Sequence, residues 1–402
     1  MKTAALAFSG GLDTCWCIPV LQSQGYRVVT VTVDVGGFDD AELTEIEGRS
    51  RFLGAERHIT VPASEMFFDE TLRHLIAGNV MRGGVYPLCV GAERSLQARE
   101  TARVAQDLGA TAVGHGCTAA GNDQIRFEVA LRTLAQGMEI LAPVRDLAPK
   151  RPEQLALLKQ RGLDFPADKA AYSVNSGLWG VTIGGEETTG TKSSIPESQW
   201  QRTKNAFDIP QGPFQTTLGF ERGIPTSLGA ERLAPVELIR KLDKLAGSYG
   251  IGRGIHMGET ILGIKGRVAF EAPAATVVVM AHRELEKLTL AKRQISLKDQ
   301  VAALYGEWIH EGLATDPATR MAEALFNESQ VSVTGTVHLE FRTGSCFVTG
   351  VESPFSLHAA SRAVYGESVG EWTPEDAKGF CRIYGLSGVL HARANGGSQC
   401  AP

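Results

Sequence analysis

The chain has 402 residues, enough for two domains with full cores. Apolar residues make up 43 % and charged residues 21 %, ordinary values for a globular protein, and a net charge of −5 argues against a nucleic-acid polyanion as the main partner. No apolar run reaches the length of a membrane span, and the seven cysteines follow no metal-site or redox spacing, so reduced structural thiols are expected.

Met1-Lys2-Thr3 leads straight into an apolar run with no small-residue cleavage site after it, and the expectation is a cytoplasmic protein. Residues 4–8 read as a buried strand. Ser9-Gly10-Gly11-Leu12-Asp13-Thr14 follows, and then a helix over residues 15–24 that Pro19 should kink or shorten. A strand, a Gly-rich turn and a helix start together form an anion site, because free helix N–H groups and the positive end of the dipole point at one spot. Gly10 and Gly11 allow positive φ and close approach, and Ser9 and Thr14 add hydroxyl donors. Asp13 would repel phosphate unless a cation stood between, which points to Mg²⁺ or its waters. The loop has no Lys and is therefore not the P-loop.

Residues 27–34 form a β-branched strand, and Asp34-Val35-Gly36-Gly37 at its end should line the same crevice. Helices are expected over 41–53, over 64–77 with Ser64 as its cap, and over 92–108, with strands over 58–61, 111–115 and 139–142. This alternation implies a doubly wound, mostly parallel sheet covered on both faces. After a helix over 153–161 the texture changes, and the domain boundary is placed there. Residues 184–212 are polar and read as a mobile surface excursion. Beyond it, 235–246 and 374–384 read as helices, the second as the last of the chain. Residues 260–264, 275–280 and 333–341 read as strands, and the chain from about 392 as a disordered tail.

A second polar constellation is His115-Gly-Cys-Thr-Ala-Ala-Gly-Asn-Asp-Gln-Ile-Arg-Phe-Glu128. It places Thr118, Asn122, Asp123 and Arg126 at one edge of the sheet, with Arg126 offering a fork for a carboxylate or phosphate. By itself it reads equally as a ligand site or as a capped helix carrying a solvated Arg.

The first stretch resembles the pyrophosphate loop of the N-type ATP pyrophosphatases, and the two stretches together resemble the argininosuccinate synthase family. Tyr86-Pro-Leu, Pro143-Val-Arg-Asp146, Tyr172-Ser173, Leu178-Trp-Gly180, Pro235-Val-Glu-Leu-Ile239, Val333-Thr-Gly-Thr336 and Asp376-Ala-x-Gly-Phe380 extend the likeness over nearly the whole chain. The resemblance implies an α/β fold: an adenine nucleotide hydrolase-like domain (1–163), an α+β synthetase domain (164–362), and a C-terminal helix and tail (363–402) that lock a homotetramer. It implies joining citrulline to aspartate through a citrullyl-adenylate, with ATP and Mg²⁺. ATP contacts fall on Ala7, Phe8, Ser9, Gly10, Gly11, Leu12, Asp13, Thr14, Cys15, Val33 and Gly116. Aspartate contacts fall on Thr118, Asn122 and Asp123, and citrulline contacts on Tyr86, Asn122, Arg126, Ser173 and Thr182. Asp13, Asp123 and Arg126 are the candidates for catalysis.

The chain departs from the family on the citrulline side. Ala119-Ala120 replace Gly-Lys, Gly91 a small hydroxyl residue, Ser95 a Pro, Thr182 a Ser, and Asn175-Ser176 an acidic pair. Gly258 replaces a Glu, with Glu259 the nearest acid to take over ammonium recognition, and Phe270 replaces a Tyr. Three readings remain open: the family's own reaction, aspartate joined to a different ureido or amide acceptor, and a paralogue that binds nucleotide without turnover.

Overall fold

The inner strands of the first sheet are largely apolar because both of their faces are covered. In the computed structural model, which describes residues 2–165, 172–367 and 370–396, the strands of this sheet are β1 (Lys2–Ala7), β2 (Tyr26–Asp34), β3 (Arg57–Pro62), β4 (Ala112–Gly114) and β5 (Glu139–Leu141). The order is β3-β2-β1-β4-β5 and every pairing is parallel. Side chains alternate between two cores. Ala5, Val31 and Val33 face one, which takes in the helix Arg94–Asp107; Ala4, Leu6 and Val28 face the other, under the helix Leu12–Ser23. The chain winds outward from β1 to β3 and then crosses back to β4. The crevice where the winding reverses, between the carboxyl ends of β1 and β4, is where an open α/β sheet binds its ligand. Pro19 sits inside the first helix without ending it.

Residues 1–354 form one compact unit and 355–402 a second. The first unit contains two further, antiparallel sheets. One joins β6 (Ser173–Gly177), β7 (Gly180–Gly184), β11 (Arg253–Glu259) and β12 (Lys265–Glu271) in the order β11-β12-β7-β6. The other joins β8 (Phe214–Glu221), β9 (Ile224–Leu228), β10 (Glu231–Arg232), β13 (Gly335–Arg342) and β14 (Ser345–Glu352) in the order β10-β9-β8-β13-β14. The fold is therefore α/β, with a parallel N-terminal sheet and antiparallel sheets and helices after it.

Four expectations fail here, each for a physical reason. Residues 275–280 are not a strand but lie in the helix Pro273–Thr289. Pro273 starts that helix, and Ala274, Val277, Val278, Ala281, His282 and Leu285 are buried at helical spacing, so burial overrides the β propensity of the Val run. Residues 260–264 form the turn between β11 and β12, with Gly263 at φ +80°. Residues 184–212 are pinned rather than loose. Ile195 and Trp200 are buried against Val181, Ile183 and Ala269, and the buried Glu271 carboxylate accepts the N–H groups of Gln201, Arg202 and Thr203 at 2.6–3.0 Å. The helix Pro374–Tyr384 is followed by another, Leu386–Ala394, so the expected tail is helical at its start; residues 397–402 lie outside the described residues.

In the second unit Thr373 and Asp376 form a capping box that starts the helix Pro374–Tyr384, and the Phe380 and Tyr384 rings stack with centroids 5.1 Å apart.

Candidate active site

The turn after β1 has the shape its sequence demands. Gly10 has φ +71°, and a Cβ there would come within 2.9 Å of Ile46. Arg49 donates to the Gly10 carbonyl at 2.8 Å, and the Ser9 and Thr14 hydroxyls lie 3.3 Å apart at the helix start. Asp13 in the first turn accepts from Gln154 Nε2 at 2.7 Å. Val33 is buried near the end of β2. Cys15 is also buried, and desolvation pushes its thiol up to about 12, so it is no nucleophile. Gly116, in the exit from β4, packs so closely on Thr14 that a Cβ would stand 2.9 Å from its methyl group. The two motifs of the sequence thus meet across the β1/β4 crevice.

The second motif opens the helix Asn122–Leu134. Asp123 and Arg126, three residues apart, pair at 2.7 Å, and Arg94 donates to the other Asp123 oxygen at 2.9 Å. Burial would raise the Asp123 carboxyl, but the Arg94 and Arg126 guanidinium groups overcome it and hold the group near about 2. Arg126 is itself buried, donating to the His310 carbonyl at 2.7 Å and lying 3.0 Å from its ring Nδ1. Asn122 accepts from the Ile261 N–H at 2.9 Å. Thr118 is exposed on the loop before it.

Facing these groups is one side of the β11-β12-β7-β6 sheet. Register puts Ser173, Asn175, Thr182, Phe270, Gly254, His256 and Gly258 on this side, since Asn175 opposes Thr182, Thr182 opposes Phe270 and Phe270 opposes Gly254. Arg94 reaches Asn175 at 3.3 Å. Tyr86 stacks on His256 (5.2 Å, 15°) and meets the edge of Phe270 at 5.1 Å, while its hydroxyl donates to the Cys89 carbonyl at 2.7 Å. Glu259 falls on the opposite side by alternation, exposed and paired with Lys265 at 2.7 Å. Gly91 sits against Arg126, where a Cβ would be 3.2 Å from the guanidinium carbon.

Several residues here carried no signal in the sequence. Glu93 is 1 % exposed, and its Oε1 has no hydrogen-bond partner. Burial pushes its carboxyl up to about 8. It lies beneath Gly177, where any Cβ would collide with it. Arg82 bridges the His310 ring at 3.0 Å and the Glu259 carbonyl at 3.0 Å. Burial and then the Arg126 and Arg82 charges drive His310 down to about 3, so its ring is neutral.

A glycine-rich turn at the crevice of a parallel sheet thus faces a wall of hydroxyl, amide and aromatic side chains. The arginosuccinate synthase N-terminal HUP domain matches residues 3–164, and the arginosuccinate synthase C-terminal domain matches residues 172–391. The argininosuccinate synthase of Methanocaldococcus jannaschii is 36 % identical over 391 residues, covering 97 % of this chain and 98 % of that one. Those of Xanthomonas campestris (37 % over 399 residues; 98 % and 99 % covered) and Hyperthermus butylicus (36 % over 392; 97 % and 98 %) are similar. The chain belongs to the argininosuccinate synthase family, and membership makes it a ligase of a family that uses ATP.

Proposed function

We propose that the chain joins citrulline and aspartate to argininosuccinate and converts ATP to AMP and pyrophosphate. The observation that carries this is the contact of Gly116 with Thr14, which sets the nucleotide loop and the Thr118–Arg126 constellation side by side. Residues Ala7 to Cys15, Val33 and Gly116 hold ATP in this reading. The ureido oxygen of citrulline attacks the α-phosphorus as the bridging P–O bond to the β-phosphate breaks, and pyrophosphate leaves. The aspartate nitrogen then attacks the activated carbon, the C–O bond breaks, AMP leaves, and the nitrogen loses a proton. Holding both acceptor and amine beside one nucleotide supplies orientation worth several orders of magnitude.

Asp13 suits a magnesium ion carried on the phosphates: it is an oxygen donor fixed by Gln154, beside two hydroxyls. Such an ion would supply charge neutralisation to the pyrophosphate leaving group. Thr118, Asn122 and Asp123 hold aspartate. Tyr86, Asn122, Arg126, Ser173 and Thr182 hold citrulline, with Phe270 packing beside it, while Glu259, on the opposite side of the sheet and paired with Lys265, takes no part. The twice-paired Asp123 keeps its charge and orients the amine donor, and Arg126 is fixed by its partners for the acceptor's carboxylate. The same reading divides the chain at 1–163, 164–362 and 363–402, and makes it a cytoplasmic homotetramer. In its support, no helix among the described residues is long and apolar enough to cross a membrane, and Phe380, Ile383 and Tyr384 leave an exposed apolar face on the C-terminal helix.

The test is pyrophosphate release with ATP, aspartate and citrulline, with argininosuccinate identified by mass. Release should need all three substrates. Release that continues without aspartate, or a product lacking the succinyl group, refutes the reading.

A further inference from the structure

We infer that the acceptor site does not read an α-ammonium group, so that it takes ureido carboxylic acids with or without an α-amine. This rests on the reading above of the β11-β12-β7-β6 wall as the acceptor's surface. Strand alternation decides which groups an acceptor meets there. Ser173, Asn175, Thr182, Val268, Phe270 and His256, with intervening glycines, make up the wall, and among the described residues none carries a carboxylate. The acids nearby are turned away or already occupied. Glu259 points to the other side and pairs with Lys265. Glu187 lies on that other side too, bonded to Tyr172, which packs against Val181 and Ile183. Asp123 is held between Arg94 and Arg126. Glu93 is sealed under Gly177.

Position 258 is the point where a carboxylate could have entered the wall. It is Gly258, and a Cβ there would stand 2.6 Å from His256 Nε2, so the imidazole occupies that space. Nε2 is buried and has no partner, while burial and then Arg82 lower the ring's basicity, so it offers a neutral nitrogen and not an anion. Among the described residues Arg82 donates to two neutral acceptors, the His310 ring and the Glu259 carbonyl, and Arg94 and Arg126 share the one Asp123 carboxylate. An ammonium brought to this wall would therefore lose its hydration, gain no counter-charge and meet guanidinium groups. A carboxylate end has the Arg126 guanidinium to meet it, as in that reading. The chemistry is unchanged, because it takes place at the ureido group.

The experiment compares citrulline with δ-ureidovalerate, which is citrulline without its amine, in pyrophosphate release with ATP and aspartate. The inference expects δ-ureidovalerate to reach at least about one-tenth of the citrulline kcat/KM. A value below that, with citrulline turned over, overturns the inference and leaves the proposed function standing. Release with neither acceptor overturns both. In the double variant His256→Ala/Gly258→Glu, which puts a carboxylate on the wall, the ratio should move toward citrulline by about tenfold or more. An unchanged ratio in a folded double variant places the choice elsewhere and overturns the assignment. If that variant does not fold, the wild-type comparison still decides.

Discussion

Arg94 Nε lies 2.9 Å from Asp123 Oδ2, and it binds the carboxylate on the side opposite Arg126. The carboxyl therefore has a folded pKa of about 2, below its unfolded value of about 3.9. A lowered carboxyl stabilises the fold above its unfolded pKa, and that contribution is lost as pH falls toward the folded one. Asp123→Asn should lower stability by about 2–4 kcal/mol at neutral pH, allowing for the side chain's partial exposure. Thermal denaturation should find the gap between variant and wild type full above pH ~4 and closing toward pH ~2. A gap that does not change with pH would separate the pairing from stability.

Asp13 lies in the first turn of the helix Leu12–Ser23, and among the described residues its side chain hydrogen-bonds to Gln154. Asp13→Ala should abolish pyrophosphate formation in the presence of Mg²⁺ while leaving the melting temperature within a few degrees of wild type. Turnover near the wild-type rate would remove Asp13 from the mechanism.

Glu93 should show the opposite pH sign. Its carboxyl is raised to about 8 by burial, so the folded state holds a proton that the unfolded chain releases above pH ~4.3. Stability should fall as pH rises from about 4 to about 8 and level off beyond. Glu93→Gln removes that slope, so the variant should melt progressively higher than wild type between pH 5 and pH 8. Parallel melting curves across that range would count against a buried, protonated acid.

Glu271 anchors the 184–212 segment through the N–H groups of residues 201–203 and the Thr203 hydroxyl. Hydrogen bonds to a charged group contribute roughly 1.5–3 kcal/mol each and are not additive. Glu271→Ala should therefore cost about 3 kcal/mol or more and open the segment to protease. Cleavage kinetics matching wild type would show that Trp200 burial alone holds it.

The apolar face of the C-terminal helix gives the assembly prediction. Ile383 and Tyr384 are each 76 % exposed, and Phe380 beside them is exposed as well. Truncation before Pro374 should yield smaller species in sedimentation than the full chain. Equal sedimentation of the two, or a monomeric wild type, would refute the docking of this helix on a neighbouring subunit.

What could be read in advance was local. The strand, turn and helix of residues 2–23 are contiguous, and Asp123 and Arg126 pair because helical spacing puts them on one face. Arg126 also depends on His310, 184 positions away, and no periodicity reports that contact. The same holds for Tyr86 on His256 and for Glu93 beneath Gly177, each a contact between segments far apart in the chain. The Thr276–Val279 run misled because β-branched residues suit a strand when read alone but suit a buried helix once Pro273 has set its start. Residues 184–212 misled because a polar composition hides two anchors, Ile195 and Trp200, whose partners Val181, Ile183 and Ala269 lie on strands outside the segment.

The two sides of the β11-β12-β7-β6 sheet bear on how such a chain can diverge. Val181, Ile183 and Ala269 pack with Trp200 on one side, and Thr182, Phe270 and His256 form the wall on the other. Neighbouring positions on one strand thus answer to different selective pressures. A mutation on the packed side is judged by whether the protein survives, and one on the wall by what the wall admits. Lineages can rewrite wall positions such as Ser173, Asn175 and Thr182 one at a time while the packed side holds the architecture, so a descendant can change what the wall admits without first losing its fold.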